Sequence, residues 1–181
     1  MTPENLLARH FGPATTACGI VLAHSRHVAA KALAVARRLR DPSLDLRFLE
    51  EAALLHDIGV CRTNSTGIGC TGEAPYILHG IIGREILEAE GLPRHALVCE
   101  RHIGVGLTVE DIERQSLPLP RRDMVPLSRE ERIVCFADLF FSKKPRSLDH
   151  EKHPDEVRAN LLRYGDHKVA IFEEWLAEFE V

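Results

Sequence analysis

Residues 54–59 read LLHDIG: Leu54, Leu55, His56, Asp57, Ile58 and Gly59. Two leucines carry an apolar helical pattern into an adjacent imidazole and carboxylate, and a glycine comes next. The pattern predicts a helix over about Leu44 to Asp57 that closes near Gly59. His56 and Asp57 come three and four residues after Ala53. Both side chains can therefore reach one point above that small residue, where there is room for an ion.

Upstream, a long helix is predicted from about Ala14 to about Arg40. Val21, Val28 and Val35 recur at intervals of seven, and Asp41-Pro42 stops the run. His24 falls on this apolar stripe, whereas His27 sits on its flank beside Lys31. Downstream, Cys61 to Ala74 contains Asn64, Ser65, Thr66, Gly67, Gly69 and Gly72 and reads as a loop. It lacks the Gly-Lys-Ser/Thr ending of a P-loop. Helices are predicted over Tyr76 to Glu90 and Pro93 to Arg101, with Gly104 and Gly106 as breaks. Thr108 with Asp111, and Ser128 with Glu131, read as capping boxes for helices near Glu110 to Gln115 and through Phe141. Two more are expected, near Pro154 to Arg163 and Asp166 to Phe179. No strand pair is recognised. The expectation is an all-α fold, one helical-bundle domain over residues 1–181, with a motif-bearing core at about 18–142 and C-terminal helices at about 154–180.

The composition fits a globular protein: 181 residues, 45% hydrophobic and 28% charged. A net charge of −4 gives no basic excess for a phosphate backbone, so a nucleic-acid polymer is not an expected partner. No apolar run approaches the ~20 residues of a membrane span, and MTPENLLARH does not have the form of a signal peptide. Five cysteines without a Cys-x-x-Cys pair argue for a reducing compartment. A cytoplasmic location and no membrane partner are expected. Histidine is the unusual component, with ten copies, and it is the commonest metal ligand.

Several polar residues stand where apolar ones are due. Asp138 lies among Ile133, Val134, Ala137 and Phe141, and a carboxylate on an apolar face is costly unless paired or metal-bound. His79 heads the face of Ile82 and Ile86. His102 shares a face with His95, Val98 and Cys99, which leaves His95 as a rival candidate. A glycine-containing break comes directly after His102, as at the edge of a pocket.

The order His24, His56-Asp57, His79, His102, Asp138 resembles the HD superfamily of metal-dependent phosphohydrolases. The local words match it too: HSRHV (24–28), LLHDIG (54–59), LHGIIGREIL (78–87), RHIG (101–104) and CFADLF (135–140). The resemblance implies a helical bundle around a metal site made of His24, His56, Asp57 and Asp138. It further implies a second ion on His79 and His102, with Asp57 bridging and catalytic. His27, His150, His153 and His167 fall outside that set.

The function this implies is an expectation. One or two divalent ions (Mn, Fe, Zn, Mg or Ni) would activate water against a small phosphorylated or nucleotide-like substrate. Arg62, Arg101 and Lys143 lie near the motifs and are candidates for contacting phosphate. Val60 stands where some cyclic-dinucleotide-cleaving members have lysine, a departure from that subgroup. The alternatives are a di-iron oxygenase resembling the inositol oxygenases, or a non-catalytic nucleotide-binding regulatory module. The C-terminal helix with Trp175 and Phe179 either packs on the core or makes a homodimer contact.

Overall fold

The computed structural model describes residues 1–13 and 15–179. Helix α1 (Pro3–Phe11) begins at Thr2, whose side chain accepts from the Asn5 N–H, with Pro3 in the first turn. This helix is not among the expected ones. Helix α2 (Thr16–Leu39) is capped by Thr15 and ends at Arg40, which adopts the left-handed conformation at φ 49°. Ala14, where the helix is expected to begin, lies outside the described residues.

Helix α3 (Leu46–Leu55) is capped by the Asp45 carboxylate. It stops short of the expected Asp57. His56 is its C-cap, Asp57 leaves the helix at φ −105°, ψ 11°, and Ile58–Arg62 form a tight 3-10 turn. The cause lies at Gly59, whose backbone meets the start of the next helix. A Cβ there would stand 2.0 Å from the His79 carbonyl oxygen and 2.4 Å from the Gly83 nitrogen. The expectation that His56 and Asp57 ride on one helix face is thus corrected.

The expected loop is also corrected, because Cys61 to Ala74 folds back on itself. Strand β1 (Asn64–Ser65) pairs antiparallel with β2 (Cys70–Thr71), in the register Asn64 to Thr71 and Ser65 to Cys70. A 3-10 turn at Thr66–Ile68 joins them.

A further 3-10 turn (Tyr76–Leu78) leads into α4 (His79–Ala89), which packs against α5 (Pro93–Arg101). Helix α6 (Val109–Arg114) has the capping box expected of Thr108 and Asp111. Helix α7 (Arg129–Leu139) has only half of its expected box. Ser128 caps the Glu131 N–H, but the Glu131 carboxylate turns to the Leu127 N–H and to Arg101. Helices α8 (Pro154–Leu162) and α9 (Asp166–Phe179) pack together at the C-terminal end. Residues 180–181, at the end of the expected domain and its last helix, lie outside the described residues. The fold is all-α, with one two-stranded hairpin among the described residues. No helix among them is long and apolar enough to cross a membrane.

Two main apolar clusters hold these helices. One gathers α2, α3, α7, α8 and α9 around Val28, Ala53, Phe136, Phe140, Phe172, Trp175 and Phe179. Truncating one such buried ring costs about 3–5 kcal/mol. Trp175 and Phe179 lie in this core, which settles their place within the chain. The other cluster joins α1 to α2, α3, α4 and α5 through Leu7, Phe11, Val21, Leu55, Leu87 and Ala96. His24 sits between Val21 of the second cluster and Val28 of the first. His56 likewise comes after Ala53 of the first and Leu55 of the second. The polar residues of the site occupy the seam between two dry clusters.

Candidate metal centre

Four helical segments end or pass at that seam. His24 projects from the middle of α2 and is fully buried. His56 closes α3, His79 closes the 3-10 turn before α4, and His102 closes α5. Helix ends leave carbonyl groups without partners. Here each ring supplies one. The Nδ1–H of His56 donates to the Ala53 carbonyl at 2.7 Å, that of His79 to Tyr76 at 2.7 Å and that of His102 to Cys99 at 2.8 Å. A carbonyl can only accept, so Nδ1 carries a proton, and in the neutral ring each Nε2 turns its lone pair into the seam.

The lone pairs converge on carboxylates. His24 Nε2 lies 2.9 Å from Asp138 Oδ1 and 3.3 Å from Asp57 Oδ2. His56 Nε2 lies 3.0 Å from Asp57 Oδ2 and 3.4 Å from Asp138 Oδ1. On the other side, His79 and His102 Nε2 stand 3.6 and 3.5 Å from Asp57 Oδ1. Asp57 therefore presents one oxygen to each group. His24, His56, Asp57 and Asp138 form one set of donors within 4.8 Å of one another, and Asp57, His79 and His102 form a second.

The donor set suits a cation and little else. Both His24 ring nitrogens, His56 Nε2 and Asp57 Oδ1 are buried without an aligned hydrogen-bond partner, while Asp57 Oδ2 faces the Lys143 ammonium. Unpartnered buried polar groups are expensive, and charged ones more so. The electrostatics show the same demand. Burial opposes protonation of His56, yet Asp57 and Asp138 outweigh it and push its pKa up to about 10. Burial, reinforced by His102, pushes His79 down to about 3. Burial would raise the Asp57 carboxyl, but His56 and Lys143 hold it well below its ordinary range. A site that draws a proton onto a buried imidazole even beside the Lys143 ammonium favours further positive charge, and divalent ions would supply it.

Of the three candidates for phosphate contact, Lys143 is in the site, its Nζ 2.6 Å from Asp57 Oδ2. Arg101 is not turned to it: its guanidinium holds the Glu131 carboxylate at 3.0 Å. Arg62 is exposed at the end of the 3-10 turn. His95 packs edge-on to Phe48 and pairs with Glu51 at 3.3 Å, outside both donor sets. His27 faces the Leu148 carbonyl, and His150, His153 and His167 pair with Glu156, Asp155 and Asp111. Sequence reasoning missed Tyr76, whose ring stacks on His79 at 4.6 Å. Its position three residues before a candidate ligand, where its carbonyl can take the Nδ1 proton, is the signal that was open to reading.

The donor residues keep the order of a known family. The model of the HD domain matches residues 21–141. An uncharacterized protein of Methanocaldococcus jannaschii is 38% identical over 142 residues, which is 72% of this chain and 76% of that one. A tRNA (cytidine(56)-2'-O)-methyltransferase of Picrophilus torridus is 42% identical over 106 residues, 58% of this chain and 27% of that protein. The protein of that name from Thermoplasma volcanium is 32% identical over 155 residues, 85% of this chain and 41% of that protein. The match thus spans less than half of either methyltransferase. No solved structure matches the chain. With two thirds of its length matched by the family model and the donor residues gathered at one seam, the chain belongs to the HD domain family.

Proposed function

We propose that this chain is a metal-dependent phosphohydrolase that releases phosphate from a small ester. The observation that carries the reading is Asp57, whose two oxygens each face a separate group of buried imidazole nitrogens. In this reading His24, His56, Asp57 and Asp138 hold one ion, and Asp57, His79 and His102 hold a second. Nitrogen and oxygen donors without thiolate suit Mn²⁺, Fe²⁺ or Zn²⁺. Ions bound there would supply positive charge against phosphoryl oxygens and would lower the pKa of water towards ~7.

The chain's own residues do the rest. The Nδ1 bonds to main-chain carbonyls hold three rings in one tautomer and orientation. Asp57 joins the two halves and orients the attacking water. Lys143 gives its proton-bearing amine first to Asp57 and then to a phosphoryl oxygen of the substrate. The methyl transfer named for two relatives belongs to chains of which the matched segment is less than half, and it is not ascribed to this chain.

The test is elemental analysis of purified protein, then phosphate release from an ester panel with each metal after chelation and reloading. Lys143→Met should keep its metal and lose turnover by about 10²-fold, the scale of one charge-stabilising group. Arg101→Met should leave turnover near wild type. Oxygen consumption by an iron-loaded protein, in place of phosphate release, would overturn the proposal.

A further inference from the structure

A cavity of about 550 Å³ opens onto the metal centre, with Asp138 and Tyr76 in its wall. Asp138 is the one member of the donor cluster with appreciable exposure, 16% of its side chain. The cavity runs between the Gly104–Leu107 segment, the end of α7 and helix α8. Its size falls in the range that holds a small organic molecule.

The wall is poor in usable charge. Ile103, Leu107, Leu117, Leu139, Val157 and Leu161 supply much of it. Three cations touch the cavity, Lys152, Arg163 and Lys168. Lys152 Nζ donates to the carbonyls of Leu139 and Phe141 at 2.9 and 3.0 Å. Lys168 Nζ donates to the Gly106 carbonyl at 2.7 Å and to Asp111 at 2.5 Å. Both amines are held by the fold. Arg163 is exposed, as are Asn160 and Tyr164, and these three form the solvent rim.

We infer that this cavity is the leaving-group subsite, and that it takes a phosphate monoester whose alcohol carries an apolar, ring-bearing body. The inference rests on the phosphohydrolase reading and narrows it. One phosphoryl group sits at the donor cluster beside Lys143. The ester body lies along the aliphatic wall, with Tyr76 and Tyr164 available to its ring. A polyphosphate chain finds no unengaged cation in the interior of the wall. Hydrolysis then gives the free alcohol and inorganic phosphate, with water as the only co-reactant.

The experiment compares methyl, benzyl and naphthylmethyl phosphate, all esters of primary alcohols with leaving groups of similar basicity, with pyrophosphate on the full Mn²⁺-loaded chain. We expect kcat/KM to climb about tenfold or more from methyl to naphthylmethyl phosphate, the scale of discrimination an apolar pocket provides, with pyrophosphate the poorest. Ile103→Trp should raise KM for naphthylmethyl phosphate about tenfold relative to any change in KM for methyl phosphate. Asn160→Trp, at an exposed rim position with little packing to disturb, should do the same if the interior variant fails to fold. Equal rates across the esters, or preference for pyrophosphate, overturn the subsite and leave the hydrolase standing. No phosphate release from any ester with any metal overturns both.

Discussion

His79 Nε2 and His102 Nε2 face each other at 3.0 Å, while the Nδ1–H of each is committed to a carbonyl three residues back. Two lone pairs at that distance repel one another, and a cation between or beside them turns the contact favourable. The same holds for Asp57 Oδ1, buried beside both rings with no aligned hydrogen-bond donor.

Metal stoichiometry should mirror this division. Wild type is expected to bind two ions per chain. His102→Ala should bind one, because the set of His24, His56, Asp57 and Asp138 is intact. Asp57→Ala should bind none tightly, because it serves both sets. Elemental analysis after gel filtration reads all three, and Asp57→Ala retaining two ions would contradict the shared carboxylate.

Ion binding should also appear as stability. An ion at 100 times its Kd adds about 2.7 kcal/mol, which for a chain of this size raises Tm by about 5–11 °C. A thermal melt with and without a chelator measures it. A Tm indifferent to Mn²⁺, Fe²⁺ and Zn²⁺ would mean that the buried donors do not take an ion.

Much of this arrangement is legible in the sequence. His24 and Asp138 stand out because each interrupts an apolar stripe; His24 is fully buried on its stripe and Asp138 stays partly open to the cavity. Helix α1 is missed although Thr2, Pro3 and Glu4 are ordinary start signals; the segment is read only for the absence of a leader pattern. The placement of His56 and Asp57 is misjudged because the helix gives way where Gly59 meets His79, a contact across twenty positions. Arg101 and Lys143 look alike as basic residues near motifs. What separates them is direction, and Arg101's partner, Glu131, lies thirty positions away. No motif marks Lys152 and Lys168, whose amines satisfy carbonyls that only the folded chain brings near.

Gly59 tests the close approach. Gly59→Ala places a methyl group where the His79 carbonyl and the Gly83 nitrogen already stand. Neither is the end of a flexible side chain, so the backbone must move. The expected loss is about 3 kcal/mol, the upper part of the range for overpacking, together with weaker binding of the ion at His79. Urea denaturation and metal titration check it; a variant as stable as wild type would show that the two segments can part freely.

The Asp111–Lys168 pair should give stability a pH dependence. Burial would raise the Asp111 carboxyl, but Lys168 and the Thr108 N–H outweigh it and hold it below its ordinary range. A depressed carboxyl stabilises the fold fully above its unfolded pKa of about 3.9 and progressively less as pH falls through its folded value. Asp111→Asn should therefore cost about 3 kcal/mol at pH 7, as breaking a buried pair does. The gap to wild type should close as pH drops below about 4. Denaturation midpoints at pH 7, 5 and 3 decide the matter, and a gap constant with pH would remove ionisation as its source.

His56, His79 and His102 each finish the helical segment before them with the same ring that faces the centre. Terminating the segment and aiming the ligand are thus one interaction. An arriving ion meets ligands preorganised by chain geometry and surrenders little rotamer entropy in gathering them. Lengthening any of these helices by one residue would misdirect an imidazole without altering the imidazole itself.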